Sequence, residues 1–555
     1  MLRADADTVI LVSITEIRLR ERPPGELQSP KRGGEAHFSA RLFTFVAVDR
    51  PKYEPDPRTL QFSYKTPNED AMRRVLATGT LVLLTLSLVS ANLDAAELYI
   101  GAAKTSITPD QPVGLSGQIH ARVAREVETP CTASVLVIEA REGDRKVDEL
   151  ILVSGDLVSF RPNVQERFRE YLKERGTEFD PDKVVLAATH THTAPVMVDG
   201  RYALPDDCMK PSDYVEFLVE RLAGAIDEAW KSRKRGGVSW GLGHAVVAQN
   251  RRMSYFDGST RMYGKTNQAD FSHVEGFEDH GVHVLFAHDR EQPAVPMAVA
   301  VDVACPAQEV ESGSKVNADF WHYVREALFG RFSPETAVLG LCAAAGDQSP
   351  HLMWRKAAEE RMREARGLNR LQEIARRIDR AVEDAWAVAK EDVRYDVPLR
   401  HSVLNLNLSM RQVTEAEYEE AKKAFAELTA EGSKGLNVYW AEGIVRRYEA
   451  QKEGAVTRPA VVHVVRLGDI AICTNPFELF TDFGVRIQAR SPAIQTFVIQ
   501  LAGRDGGGYL PTERAVQGGG YGAEIKSTPV GPAGGQELVE ATLAELNRLW
   551  EAKPK

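Results

Sequence analysis

The sequence predicts a layered fold of the α/β or α+β class: a mixed β-sheet core, flanking helices, and a site built from loops at strand ends. Three observations carry this. From about Glu97 onward, apolar runs alternate with amphipathic helical stretches, the rhythm of sheets and helices packed in layers. Several apolar runs are continuous, as expected for strands covered on both faces. Polar residues collect just past the ends of those runs, where open α/β sheets build their sites.

Taken in order, the apolar runs place strands at 150–153, 184–188, 297–304, 337–344 and 496–501. A longer run, 461–473, reads as a hairpin broken at Gly468-Asp469. Helices are expected at 164–175, 212–231, 354–390, 415–430 and 537–552. The run 184–188 leads into Thr189-His190-Thr191-His192, and 297–304 leads into Cys305-Pro306. The run ending near 345 leads into Gly346-Asp347-Gln348-Ser349-Pro350-His351. The hairpin leads into Asn475-Pro476-Phe477-Glu478, and 496–501 into a Gly-rich loop ending at Tyr509.

Composition narrows the function. The 555 residues are 43% hydrophobic and 27% charged, which excludes wholesale disorder. A net charge of −10 argues against a nucleic-acid partner, which would need a basic stripe. Five Cys in this length exclude a disulfide scaffold. No repeat period is evident in the sequence, and no partner protein is implied.

The first hundred residues carry one export signal, and it is internal. Met72-Arg73-Arg74 is a positive start, 75–89 is an uncharged apolar run, and Ser90-Ala91 follows. This is the three-part pattern of a secretory signal peptide over 72–91, too short for a comfortable membrane span. A buried core helix and a retained anchor are the alternatives. Residues 18–34 read as loop or disorder, so Met72 reads as the true start and 1–71 as an N-terminal extension. Cleavage after Ala91 would leave residues 92–555 working outside the cytoplasm, secreted or periplasmic.

Each chemical motif has a plain structural reading beside it. His190-x-His192 puts two imidazoles on one face of extended backbone, suited to a divalent metal or to local hydrogen bonding. Cys305 is a competent zinc ligand as a thiolate, or a small buried hydrophobe. Glu478 sits in an apolar context and needs a cation or donors, or it caps a helix starting near Phe477. Ser349-Pro350 looks like N-cap plus N1 of the long helix, and Asp347 like a loop-bonding residue. Gly506-Gly507-Gly508-Tyr509 and Gly518-Gly519-Gly520-Tyr521 are Gly-rich turns, each presenting a Tyr, without the spacing of a nucleotide loop. Arg251 and Arg252 could hold an anion, although exposure is the default for Arg.

These pieces, in this order, resemble the catalytic domain of the neutral/alkaline ceramidase family. The matching stretches are Gly101-Ala102-Ala103-Lys104-Thr105-Ser106-Ile107-Thr108, Ala188-Thr189-His190-Thr191-His192-Thr193-Ala194-Pro195, Gly346-Asp347-Gln348-Ser349-Pro350, Pro476-Phe477-Glu478 and the Tyr509 loop. The resemblance covers roughly residues 98–550 of a catalytic domain placed at 92–555. It implies a secreted or membrane-tethered zinc amidase that cleaves ceramide to sphingosine and a fatty acid. Its zinc ligands fall on His190, Glu478, Tyr509 and Cys305, the last a departure from the family's second His. Its active-site Ser falls on Ser349, its Arg on Arg251, and a second Tyr on Tyr521. His192 would orient a ligand or the substrate. The family's immunoglobulin-like C-terminal domain has no counterpart before Lys555.

The expected chemistry is therefore zinc-assisted hydrolysis of an amide in an N-acyl, ceramide-like lipid, with peripheral membrane contact. Zinc-bound hydroxide would attack, Tyr521 or Arg251 would hold the oxyanion, and His192 would carry the proton to the leaving amine. Ser349 would orient the substrate or act as nucleophile, with Asp347 fixing its loop. Another N-acyl compound or an ester is a competing substrate. A different class also stays open: a catalytically inactive secreted relative that binds a lipid, glycan or protein. The position of the Cys305 thiol discriminates them.

Overall fold

The computed structural model of the chain describes residues 8–16, 41–49, 96–432, 435–454 and 456–551. The chain divides into two units, Met1–Ala91 and Asn92–Lys555. In the first, Thr8–Glu16 and Arg41–Asp49 pair antiparallel. The segments 18–34 and 72–91, read as loop and signal peptide, lie outside the described residues.

The second unit is built on two sheets. The larger contains β1 (Ala96–Ser106), β2 (Thr132–Glu142), β3 (Arg145–Gly155), β4 (Val184–Ala188), β5 (Lys234–His244), β6 (Gly281–Asp289), β7 (Ala298–Val303) and β8 (Ala337–Cys342). Their spatial order is β8-β7-β6-β5-β1-β2-β3-β4, with Asp396–Val397 added beside β1. β3/β4 and β7/β8 pair parallel and the other neighbours antiparallel. The helices α1 (Pro162–Arg175), α2 (Pro211–Ser232), α3 (Phe320–Arg331) and α4 (Arg370–Ala389) fall between and after these strands.

That order repeats. Counting only the strands of this sheet and α1 to α4, residues 96–232 and 234–389 each run β-β-β-α-β-α, with the two first strands, β1 and β5, meeting antiparallel at the sheet centre. The packing repeats too. α2 lies on β1 so closely that a Cβ on Gly101 would come 1.9 Å from the Ala229 carbonyl oxygen. α4 lies on β5 so that a Cβ on Gly243 would come 2.1 Å from that of Ala381. The sequence shows no repeat because the shared feature is element order and backbone approach rather than residue identity.

The smaller sheet runs β9 (Leu399–Ser409), β10 (Thr457–Leu467), β11 (Ile470–Thr474), β12 (Gln495–Ile499), with Arg504–Asp505 on β10. Its inner face brings Val465, Ile470, Ile472 and Phe497 against Leu98, Ile100, Leu136, Leu285 and Leu339 of the larger sheet. Its outer face brings Val462, Val464 and Cys473 against Phe483 and Ile487 of α5 (Thr481–Arg490) and Leu538 and Leu546 of α6 (Pro532–Glu551). α1 to α4 cover the opposite face of the larger sheet. The layers are helix, sheet, sheet, helix, as the continuous apolar runs require.

Expected elements fall on observed ones at β4, at the β10–β11 hairpin turning at Gly468-Asp469, and at Glu415–Ala430. The long helix expected over 354–390 is two, Lys356–Ala365 and α4, separated around Gly367 at φ +67°. The Ser349-Pro350 helix start is also corrected. Ser349 lies in the short strand Gln348–Ser349, paired with Gln249–Asn250, and the helix begins at Lys356. Glu478 caps no helix: it lies in the short strand Glu478–Leu479, and α5 starts after Phe480.

Gly101→Ala and Gly243→Ala are each expected to lower unfolding stability by about 1–3 kcal/mol through overpacking. Gly224→Ala, exposed on α2 with nothing within 4 Å of its added Cβ, is expected to be neutral or to stabilise by up to about 1 kcal/mol. Denaturant midpoints of the three variants check this.

Candidate active site

The site grows from the exits of β3, β4 and β8. Past β4 the chain turns sharply, with His190 at φ +71°, a left-handed conformation that His tolerates better than most residues. The corner is fixed on several sides. Thr189 N donates to Gly155 O (3.1 Å), His190 N to Leu157 O (2.9 Å), and Ala307 N to Thr189 O (3.1 Å). The Thr189 hydroxyl meets Asp156 Oδ1 at 3.3 Å, and Arg325 of α3 grips Asp156 with two bonds of 2.7 and 2.9 Å.

His190 Nδ1 donates to Val158 O at 2.7 Å, which leaves Nε2 as a lone pair. That nitrogen is 3.5 Å from Glu478 Oε2 and 3.2 Å from His192 Nε2. His192 Nε2 is therefore the donor in the second contact. Its Nδ1 is buried without a hydrogen bond and faces Glu311 Oε2 at 3.6 Å. Burial, then the neighbouring His190 and Arg251, holds the His192 imidazole well below the usual range.

Glu478–Leu479 and Tyr509–Leu510 pair as parallel strands, which brings the carboxylate beside the phenol. Arg251 is buried, donating from Nη2 to Tyr509 Oη (3.1 Å) and Gly346 O (2.9 Å). Burial pushes the Glu478 carboxyl up, but His190, Tyr509 and Arg251 together hold it below the usual carboxylate range. Burial and Glu478 push Tyr509 well up, so the phenol keeps its proton. The Tyr521 ring meets Tyr509 edge-on at 5.5 Å, and burial pushes its hydroxyl up to about 12.

Arg252 is buried as well, and it faces elsewhere. It pairs with Glu275 at 2.6 Å and donates to the carbonyls of Gly519 (2.6 Å) and Tyr521 (3.0 Å). Adjacent arginines thus divide the work: Arg251 reaches the site, and Arg252 anchors the Gly-rich turn that presents Tyr521.

Ser349 Oγ accepts from His351 N (3.1 Å) and meets Tyr263 Oη at 3.2 Å. Among the described residues no imidazole or carboxylate bonds to it, which leaves the hydroxyl unactivated as a nucleophile. Asp347 is a clasp. It accepts from Thr481 N (3.0 Å), Thr481 Oγ1 (2.6 Å) and Asn250 Nδ2 (3.0 Å), and burial raises its carboxyl.

The structure brings together His190, His192, Glu478, Tyr509, Arg251 and Tyr521, with Ser349 and Asp347 on the adjoining loop. It does not bring Cys305 to them. That thiol is fully buried in the apolar layer with Val247, Val303 and Trp321, 3.8 Å from the carbonyls of Val247 and Pro306. Burial pushes it well above the usual thiol range, which disfavours the thiolate a metal needs.

Sequence reasoning missed Tyr263, Gln308 and Glu311, and it named His351 at the end of the Gly346–His351 stretch without giving it a role. Tyr263 Oη accepts from Gln308 Nε2 at 3.1 Å, and Glu311 stands 3.8 Å from His351 Nδ1. A cavity of about 650 Å³ is lined by Tyr263, Glu311, His351, Met353 and Trp354 among others, so it reaches the site through those first two side chains. Tyr263, Gln308 and Glu311 sit in no recognisable motif. Tyr263, at φ +54°, owes its position to a turn that its sequence does not announce.

Zinc, which the resemblance implies, can be tested against these donors. Among the described residues no three His, Cys, Asp or Glu side chains are grouped to hold a metal. The Tyr509 phenol supplies the third donor beside His190 Nε2 and Glu478. The 3.5 Å between that nitrogen and Glu478 Oε2 is close to the roughly 3.3 Å edge of a tetrahedron with bonds of about 2.0–2.1 Å. Three protein donors with an open fourth position are the pattern of a catalytic zinc; His190 and Glu478 have the spacing of two of them, and Tyr509, which burial and Glu478 keep protonated, would have to give up its proton to be the third.

Asp347→Ala, which removes three buried bonds worth about 1 kcal/mol each, is expected to cost about 3 kcal/mol of stability. Asp347→Asn should retain part of that. Thermal unfolding of both variants checks it.

Neither a protein-family model nor a curated protein matches the chain. Among solved structures, it is similar to the crystal structure of neutral ceramidase from Pseudomonas aeruginosa, with a TM-score of 0.60 and 17% identity over 82% of this chain and 75% of that one. It is likewise similar to a ceramidase complexed with C2, with a TM-score of 0.57 and 16% identity over 83% and 77% of the two chains. At these identities the likeness is one of fold: the chain has the fold of the neutral ceramidase structures.

Proposed function

We propose that the chain is a zinc-dependent hydrolase that cleaves the amide of an N-acyl, ceramide-like substrate. The observation that carries this is the convergence of His190, His192, Glu478, Tyr509 and Arg251, from separate strand exits, within hydrogen-bonding distances of one another. Secretion through the 72–91 segment belongs to the same proposal and rests on the sequence pattern alone.

His190, Glu478 and Tyr509 would hold the ion. Bound there, zinc supplies a water of pKa near about 7 and polarises the amide carbonyl. The remaining steps belong to the chain. The Arg251 guanidinium and the protonated Tyr521 phenol are hydrogen-bond donors beside the centre and are placed to take the negative charge of the tetrahedral oxygen. His192, uncharged at rest, gains a proton as water is consumed, with Glu311 facing its Nδ1. Burial makes that imidazolium a strong acid, suited to protonating the leaving nitrogen. Ser349 and Tyr263, joined by a hydrogen bond, orient the substrate at the mouth of the cavity.

Elemental analysis of the purified full chain tests the metal. We expect about one zinc per chain in the wild type and in Cys305→Ser, and none in His190→Ala. Zinc lost from Cys305→Ser would overturn the three-donor site. No zinc after incubation with excess metal would overturn the hydrolase and leave the binding protein. In the loaded enzyme, Arg251→Met is expected to lower kcat for an N-acyl amide by about 10²–10³-fold.

A further inference from the structure

The cavity of about 650 Å³ that meets the site at Tyr263 and Glu311 is not lined like a lipid slot. Pockets for small molecules are ordinarily walled by apolar and aromatic side chains with a few placed polar groups. Here the apolar lining is limited to Leu352, Met353, Trp354 and Tyr263, and, glycine apart, the rest is polar or charged.

Residues 263–267 and 351–356 form two of its walls, and hydrogen bonds tie them together. Thr266 Oγ1 donates to Met353 O at 2.9 Å, and Tyr263 Oη meets Ser349 Oγ at 3.2 Å. Each wall is also anchored from behind. Tyr255 Oη donates to Lys265 O at 3.1 Å, and Met353 N donates to Gln249 Oε1 at 2.6 Å.

Three cations line the space between: Lys265 from one wall, Arg355 and Lys356 from the other. Among the described residues none of them forms an ion pair. Arg355 lies over the Trp354 ring, with Cζ 5.7 Å from its centroid. The one carboxylate in the lining, Glu311, stands between His192 at 3.6 Å and His351 at 3.8 Å. A second cavity meets the first at His351, Leu352 and Lys356, and its other cations are matched. Arg363 pairs with Glu360, and Arg370 stands 3.7 Å from Glu309. The unmatched positive charge therefore lies in the cavity that leads to the site, in a chain whose net charge is −10. A cleft lined by one sign of charge focuses the field and draws in a ligand of the opposite sign.

We infer that the substrate is a short N-acyl compound bearing an anionic group, a carboxylate or a phosphate, which Lys265, Arg355 and Lys356 receive in this cavity. Both residue types bind these groups, the Arg fork bidentately. All three side chains are exposed, so the fold does not need the anion, and their effect is on capture and selection. A neutral lipid with two long chains would use neither the charges nor the polar walls. The inference rests on the hydrolase reading: water adds across the amide, the C–N bond breaks, the acyl carbon keeps the hydroxyl, and the nitrogen takes the proton.

Calorimetric titration of the full chain with N-hexanoylglycine, N-hexanoyl-phosphoethanolamine and uncharged N-hexanoylethanolamine tests it. At about 20 mM salt we expect at least one charged probe to bind about tenfold or more tightly than the uncharged one, and which one identifies the anion. Raising the salt to about 200 mM should cut that advantage by about threefold or more. Lys265→Gln with Lys356→Gln should remove most of it while leaving the uncharged probe within about twofold, and Lys265→Arg with Lys356→Arg should keep it. Both positions are exposed, so neither pair of substitutions is expected to disturb folding. Equal binding of all three probes to the wild type overturns the inference, whatever the variants do. So does a preference that is indifferent to salt or survives Lys265→Gln with Lys356→Gln. Charge-dependent binding without turnover of any probe would overturn the hydrolase reading and keep the cavity as an anion site. Turnover with no charge preference would do the reverse.

Discussion

The ion pair between Asp156 and Arg325 is the constraint on which the site depends. Asp156 follows β3 in the first half of the duplicated sheet, and Arg325 comes from α3 in the second. Both are buried, and Asp156 also accepts from Thr132 N and meets Thr189 Oγ1. A buried pair of this kind is weak evidence of stability, since desolvation offsets most of the attraction. Its effect here is positional. It fixes the residue before His190, so that a non-glycine left-handed corner persists and one imidazole nitrogen points at Glu478.

The duplicated order explains why the site lies where it does. Each half ends in a parallel strand pair, β3/β4 and β7/β8, whose exits carry Asp156, the His190 corner, Cys305 and the Gly346–Ser349 loop. The two halves use equivalent exits differently. Asp156 faces an arginine from the other half, whereas Cys305 turns into the apolar layer beneath α3 and α4. The smaller sheet then supplies Glu478 and Tyr509 from its own strand exits. No single segment holds the chemistry, so the site exists only when both sheets are stacked.

Electrostatics complete the arrangement. Glu478 tolerates burial because His190 and Arg251 stand beside it, and burial, with the same two neighbours, keeps His192 uncharged. Tyr509 and Tyr521 remain protonated because burial and Glu478 oppose their ionisation.

The sequence by itself determined the layered class, the strand exits as the place to look, and the residue types of His190, Glu478, Tyr509, Arg251 and Tyr521. These are local signals: continuous apolar runs, Gly-rich turns, and polar residues stranded in apolar context. Only the tertiary structure decided which way each side chain faces. It sent Cys305 to the core and Arg252 to Glu275, took Ser349 out of a helix cap, and recruited Tyr263 and Glu311. The reason is that facing depends on register between strands far apart in the chain, such as Glu478 opposite Tyr509. A shift of one residue in such a pairing turns a side chain from site to core. The duplication escaped the sequence for the same reason, because it is conserved in pairing order rather than in residues.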